Sequence, residues 1–133
     1  MEDCIFCKII KGELPSYKVY EDEHTLAFLD INPVHHGHTL VIPKEHYQCV
    51  EQIPDELLVK VIQTVRKVGQ SIKDNLAPGY TVQVNNDPVA GQIVAHNHFH
   101  IIPRHEGDGL KLWPQEKYPE GKAEEILEKI KIN

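Results

Sequence analysis

The apolar residues Leu57, Leu58, Val61, Ile62, Val65, Val68 and Ile72 recur at intervals of three and four. That period lays them along one stripe of an α-helix. Pro54 suits its first turn, and Pro78-Gly79 stops it. Upstream the pattern changes to short β-type runs at residues 17–20, 25–30 and 38–42. The connection Asn32-Pro33-Val34-His35-His36-Gly37 is turn-like. A fourth run, 80–84, alternates Tyr80, Val82 and Val84 against Thr81 and Gln83. Near the start, Asp3 is expected to cap a short helix that buries Ile5, Phe6, Ile9 and Ile10 and ends near Gly12. Ala123, Ile126, Leu127 and Ile130 predict a final amphipathic helix. With a fifth strand through the histidines described next, the chain reads as α+β: a mainly antiparallel five-stranded sheet, one long helix and short terminal helices.

His96, His98 and His100 occupy every second position of His96-Asn97-His98-Phe99-His100. A strand has a side-chain period of two, so the three imidazoles are expected on one face. Ala95, Phe99 and Ile101 would then turn to the core. Such a row suits a metal ligand set, or a cradle for an anion with one nitrogen free to attack it. Cys4-x-x-Cys7 has the spacing of a zinc pair, which two buried thiols on a short helix share.

Composition narrows the class. A chain of 133 residues with 41% hydrophobic and 26% charged residues is expected to fold as one domain, 1–133. The net charge of −6 argues against a general nucleic-acid surface, though not against a small anionic ligand. No apolar run approaches a membrane span, and the opening Met1-Glu2-Asp3-Cys4 is unlike a secretory signal. Three cysteines, an odd number, point to a reducing, cytoplasmic setting.

His-x-His-x-His followed by Ile101-Ile102 resembles the signature of the histidine-triad (HIT) nucleotide-binding superfamily. So, in order, do Cys4-Ile5-Phe6-Cys7-Lys8-Ile9-Ile10, Ala27-Phe28-Leu29-Asp30-Ile31, His38-Thr39-Leu40-Val41-Ile42-Pro43-Lys44 and Ala90-Gly91-Gln92. These blocks cover residues 4–104, and 105–133 is a variable C-terminal segment. The likeness is strongest to the CxxC-bearing branch that hydrolyses purine nucleoside phosphoramidates. It implies His98 as a nucleophile forming a nucleotidyl-histidine, with His100 and His38 donating to the phosphate. It implies a nucleoside site from Ile5, Phe6, Ile9, Phe28, Leu29, Asp30 and Ile31, with Asp30 as ribose acceptor. Asn85, Gly91 and Gln92 fall near the phosphates and leaving group. Cys4, Cys7, His46 and His96 would hold a structural Zn2+. The ligand would be an AMP-type purine nucleotide and the assembly a homodimer, with Trp113 among the residues near the partner's site.

Two positions depart from that pattern. Ile93 stands where a Ser or Thr contacts the leaving group, and Asn97 replaces an apolar residue. Three neighbouring readings compete. A diadenosine-polyphosphate hydrolase would use the same histidines. A nucleotide sensor would bind with little turnover. A metal-storage module would use the triad itself as ligands. His35, His36 and Cys49 read as polar turn residues and an ordinary thiol.

Overall fold

The computed structural model describes residues 3–133. Its elements are α1 (Ile5–Ile10), β1 (Lys18–Glu21), β2 (Thr25–Leu29), β3 (Thr39–Pro43), α2 (Asp55–Asn75), β4 (Gly79–Val84), β5 (Phe99–Arg104) and α3 (Lys122–Ile130). The five strands form one sheet in the order β1-β2-β3-β5-β4, with every neighbouring pair antiparallel. The α+β expectation holds. Hairpins join β1, β2 and β3, whereas α2 carries the chain across to β4 at the far edge.

The period of two divides the sheet into two faces. Ala27, Val41, Phe99 and Ile101 meet Val61, Val65, Val68 and Ile72 of α2. Leu26, Phe28, Leu40 and Ile42 meet Phe6, Ile9 and Ile10 of α1, together with Val94. Each fully buried aliphatic side chain contributes roughly 1.5–3 kcal/mol by leaving water. Gly69 permits the closest approach of α2 to the sheet, since an added Cβ would lie 2.3 Å from the Tyr80 ring. Thr25 and Thr64 share a buried hydroxyl contact of 2.7 Å across the same interface. α2 has 21 residues and α1 only six, so α1 covers its face incompletely. The histidines lie on this face beside α1, with His38, His96 and His98 buried and His100 half-buried.

Several local expectations need correcting. Cys4, not Asp3, caps α1, its Sγ accepting the Cys7 N–H at 3.4 Å. Ile5 is 46% exposed rather than buried. The histidine strand begins only at Phe99, because the Asn97 N–H bonds the Tyr47 carbonyl at 2.6 Å instead of joining a neighbouring strand. Ala95 is exposed, while Phe99 and Ile101 do enter the core. On α2, Ile62 faces outward. α3 forms as its pattern predicts, yet none of its residues is buried. Among the described residues, no helix is long and apolar enough to cross a membrane.

Candidate active site

His100 lies on β5 opposite Leu40 of β3, and His38 immediately precedes β3. The antiparallel register therefore brings two imidazoles from distant sequence into contact, with His38 Nε2 and His100 Nδ1 2.9 Å apart. The Val34 backbone N–H can only donate, and it reaches His38 Nδ1 at 3.0 Å. Neutral His38 must then hold its proton on Nε2 and give it to His100 Nδ1. That leaves the His100 proton on Nε2. His98 is set the opposite way. Its Nδ1 donates to the His96 carbonyl at 2.7 Å, which leaves a bare lone pair on Nε2. The His98 ring packs edge-on against Phe6 at 5.1 Å and His100 at 4.9 Å.

Burial keeps this cluster neutral. It is the largest cause lowering His38, opposed by the Asp30 carboxylate. It also lowers His98, opposed by the His96 carbonyl bond. His100 is pushed down to about 4 by burial, with His98 and His38 adding to the effect. A buried imidazole of this kind offers a lone pair or an N–H donor without carrying charge.

His96 belongs to a second constellation. Its Nε2 donates to the Pro43 carbonyl at 2.8 Å, so Nδ1 is unprotonated and faces Cys4 Sγ at 3.4 Å and Cys7 Sγ at 3.6 Å. His46 Nδ1 lies 3.3 Å from Cys7 Sγ. All four ligand atoms lie within 4.8 Å of one another, so the group could hold a metal ion. Zinc bonds of about 2.0–2.3 Å in a tetrahedron place neighbouring ligand atoms about 3.3–3.8 Å apart. The three sulfur–nitrogen separations fall in that range. Burial, then the adjacent Cys4 thiol, pushes Cys7 up, and a cation between the sulfurs would remove that conflict.

Asp30, His38 and His100 also place ligand atoms within 4.8 Å of one another. They do not make a ready metal site, because the Val34 bond leaves His38 Nε2 protonated. Asp30 Oδ1 accepts the Asn32 N–H at 2.9 Å, while Oδ2 lies 3.8 Å from His38 Nε2. One carboxylate oxygen thus stays free beside the histidines.

The apolar residues of the expected nucleoside site are only partly assembled. Phe6 and Phe28 meet edge to face at 5.5 Å, and Ile9 packs with them. Leu29 alternates to the opposite face, Ile31 is 78% exposed, and Ile5 turns toward a separate cavity. Asn85 Nδ2 donates to the Gly91 carbonyl at 3.3 Å, and Gly91 sits at φ +94°, where a side chain is strained. Gln92 is buried, donating to the Gln48 carbonyl and accepting the Asp87 N–H, each at 2.8 Å. Cys49 lies beside Asp87 and Gln92, with Sγ 3.5 Å from Asp87 Oδ1. The functional groups missed from sequence are the Val34 N–H and the carbonyls of Pro43 and His96. Main-chain atoms carry no residue signature. His105 was also unforeseen, its ring 5.3 Å from that of His35.

The HIT domain model matches residues 11–107. The chain belongs to the histidine-triad family. A HIT-like protein of Methanocaldococcus jannaschii is 52% identical over 131 residues, covering 96% of this chain and 98% of the relative. An adenosine 5'-monophosphoramidase of Schizosaccharomyces pombe is 46% identical over 136 residues, covering 96% and 98%. The crystal structure of a HIT family member from Bacillus subtilis superposes with a TM-score of 0.86 at 45% identity, covering 96% and 94%. A Zn-bound histidine-triad protein from Mycobacterium smegmatis gives 0.79 at 34% identity, covering 87% and 85%. In this histidine-triad chain the motif thus splits in two, with His96 turned to the cysteines and His98 packed between Phe6 and His100.

Proposed function

We propose that the chain is a nucleotide hydrolase that cleaves the α-phosphorus bond of nucleoside phosphoramidates through a nucleotidyl-histidine. The observation that carries this reading is the bare Nε2 of His98, created by its Nδ1 bond to the His96 carbonyl. A buried neutral imidazole with a free lone pair is a nucleophile near neutral pH. The lone pair forms a nitrogen–phosphorus bond while the bond from phosphorus to the leaving nitrogen breaks. The electron pair goes to that nitrogen, which takes a proton from solvent. The positive charge on the substituted imidazole is met by the His96 carbonyl through Nδ1–H. The His100 Nε2–H donates to a phosphate oxygen as negative charge builds there. His38 keeps that proton in place by donating to His100 Nδ1. Water then attacks phosphorus, loses a proton to solvent and returns the electron pair to His98. Phe6, Phe28 and Ile9 would receive the purine and the free oxygen of Asp30 the ribose hydroxyls. The adenosine 5'-monophosphoramidase name of a relative supports AMP as the nucleotide.

The Cys4, Cys7, His46 and His96 set would hold zinc. With four protein ligands the ion is closed, and it supplies fold stability rather than an activated water. The zinc of the Mycobacterium smegmatis relative supports this assignment. Most of the 105–133 segment, residues 108–133, lies outside the matched region, and we place one HIT unit over 1–133. A homodimer in the cytoplasm is the proposed setting.

The deciding experiment is His98→Ala. Turnover of an AMP amide is expected to fall by roughly 10³-fold or more, with AMP affinity nearly retained. Acid-quenched wild-type enzyme is expected to carry the nucleotidyl group on the peptide containing His98. Near wild-type turnover by the variant, or label on His96, overturns the assignment. Tight AMP binding without turnover by the wild type would favour a sensor.

A further inference from the structure

His35, His36 and His105 stand outside both constellations, and among the described residues their imidazoles form no hydrogen bond. The sheet register gathers them. β3 and β5 pair Leu40 with His100 and Thr39 with Ile101. Continued beyond Thr39, that antiparallel register sets His35 opposite His105. Their ring centres lie 5.3 Å apart, and the His36 ring lies 6.0 Å from that of His35. Both backbones are held: the His35 carbonyl accepts the His38 N–H at 3.0 Å, and the His105 N–H donates to Asp108 Oδ2 at 3.2 Å. His35 Nδ1 is buried without a partner, a costly state for a polar atom. The Asp108 carboxylate is already spent on Arg104, at 2.7 Å.

We propose that His35, His36 and His105 form a second metal site, separate from the cysteine set, for a divalent transition-metal ion that favours imidazole, such as Ni2+, Cu2+ or Zn2+. Metal–nitrogen bonds of about 2.0–2.1 Å, with each ring centre about 1.2 Å behind its nitrogen, set two ring centres about 5.2 Å apart at the tetrahedral angle. The His35–His105 separation of 5.3 Å matches that spacing. The three imidazoles are less tightly gathered than Cys4, Cys7, His46 and His96. His36 is exposed, and a change of its rotamer supplies the third ligand. Three nitrogens and no free carboxylate suit imidazole-seeking ions and not Ca2+ or Mg2+, which take oxygen ligands. The ion would tie the turn before β3 to the end of β5. That turn also carries the Val34 N–H that holds His38 Nδ1. The site takes no part in the proposed hydrolysis.

The test titrates Ni2+ by calorimetry into the full chain as purified, free of any histidine tag, with its own metal content measured before and after. Wild type is expected to bind one further equivalent of Ni2+ and to melt at a higher temperature with it. Loss of a partner behind a metal ligand already costs 10–100-fold in affinity, so loss of a ligand should cost at least about tenfold. That loss is expected for His35→Ala and for His105→Ala, together with disappearance of the Ni2+-dependent rise in melting temperature. His105→Phe keeps the ring volume without its nitrogens and should behave as His105→Ala does, which separates ligation from packing. His24→Ala, at a histidine outside the cluster, should bind as wild type. Absence of a further equivalent in wild type, unchanged affinity in His105→Phe, or an equal loss in His24→Ala overturns the site. Release of zinc in step with Ni2+ uptake would place the ion at the cysteines and overturn it too.

Discussion

Val34, Pro43 and His96 each offer one main-chain atom to an imidazole, and these contacts fix the proton on Nε2 of His38 and His96 and on Nδ1 of His98. His38 becomes a donor, His96 turns a bare Nδ1 to the cysteines and His98 keeps a bare Nε2, although all three are the same amino acid in similarly buried surroundings. Two predictions belong to these side chains. If the free oxygen of Asp30 accepts from the ribose, Asp30→Ala should weaken AMP binding by roughly 1.5–3 kcal/mol, the range for hydrogen bonds to a charged group. Deoxyadenosine monophosphate should lose less; equal losses by calorimetry would remove Asp30 from the ribose. The second concerns pH. Folding lowers the affinity of His38 and His100 for protons, with His100 held at about 4. The unfolded chain therefore binds more protons between the ordinary imidazole value and about 4, so stability rises with pH across that window. The contribution should be complete above pH ~6.5 and lost as pH falls toward 4. Melting temperatures at three pH values under constant zinc should decline together with acidity; a flat or rising series contradicts the assignment.

α1 is too short to be stable alone, and two attachments hold it. One is Phe6 in its aromatic contacts with Phe28 and His98, and the other is the Cys4–Cys7 pair facing His46 and His96. Cys4→Ser and Cys7→Ser should each lower bound metal well below one equivalent per chain, measured by elemental analysis, and should lower the melting temperature. A wild-type protein purified without metal and melting normally would defeat the zinc proposal. How much of these elements was legible depends on where their determinants lie. α2 was readable because Val61, Val65, Val68 and Ile72 repeat with the helix and meet a single sheet face. Four strands were readable within a residue or two from β-type runs between turns. The late start of β5 was not, since it depends on the Asn97 N–H choosing the Tyr47 carbonyl, a contact across fifty residues. The cap of α1 was misread because a cysteine sulfur accepts the bond usually given to a carboxylate. That Cys4, Cys7, His46 and His96 gather, and that His38 meets the triad, was legible through the family pattern. The tautomers were not, because carbonyl and amide groups are common to every residue.

Among the described residues, two exposed surfaces carrying apolar side chains bear on assembly. Leu58, Val59 and Ile62 line a groove of about 650 Å³ on the outer side of α2. β4 is an edge strand with Val82 44% exposed. Edge strands left bare invite pairing with another chain, and this is the support for the proposed homodimer. Ile62→Glu combined with Val82→Lys should yield a monomer by light scattering, while the wild type should have twice that mass. A monomeric wild type would end the proposal.

His96 takes part in both constellations, but with different atoms. Its ring faces the cysteines and its carbonyl orients His98. Any residue placed at position 96 still supplies a carbonyl. Side-chain scanning there can therefore report only on the metal half and is blind to the half that serves the chemistry. Replacing the amide after residue 96 by an ester would weaken that oxygen as an acceptor without touching the ring. Loss of the imidazole at position 96 together with the cysteines would remove the metal set and still leave in place the oxygen that meets His98 Nδ1.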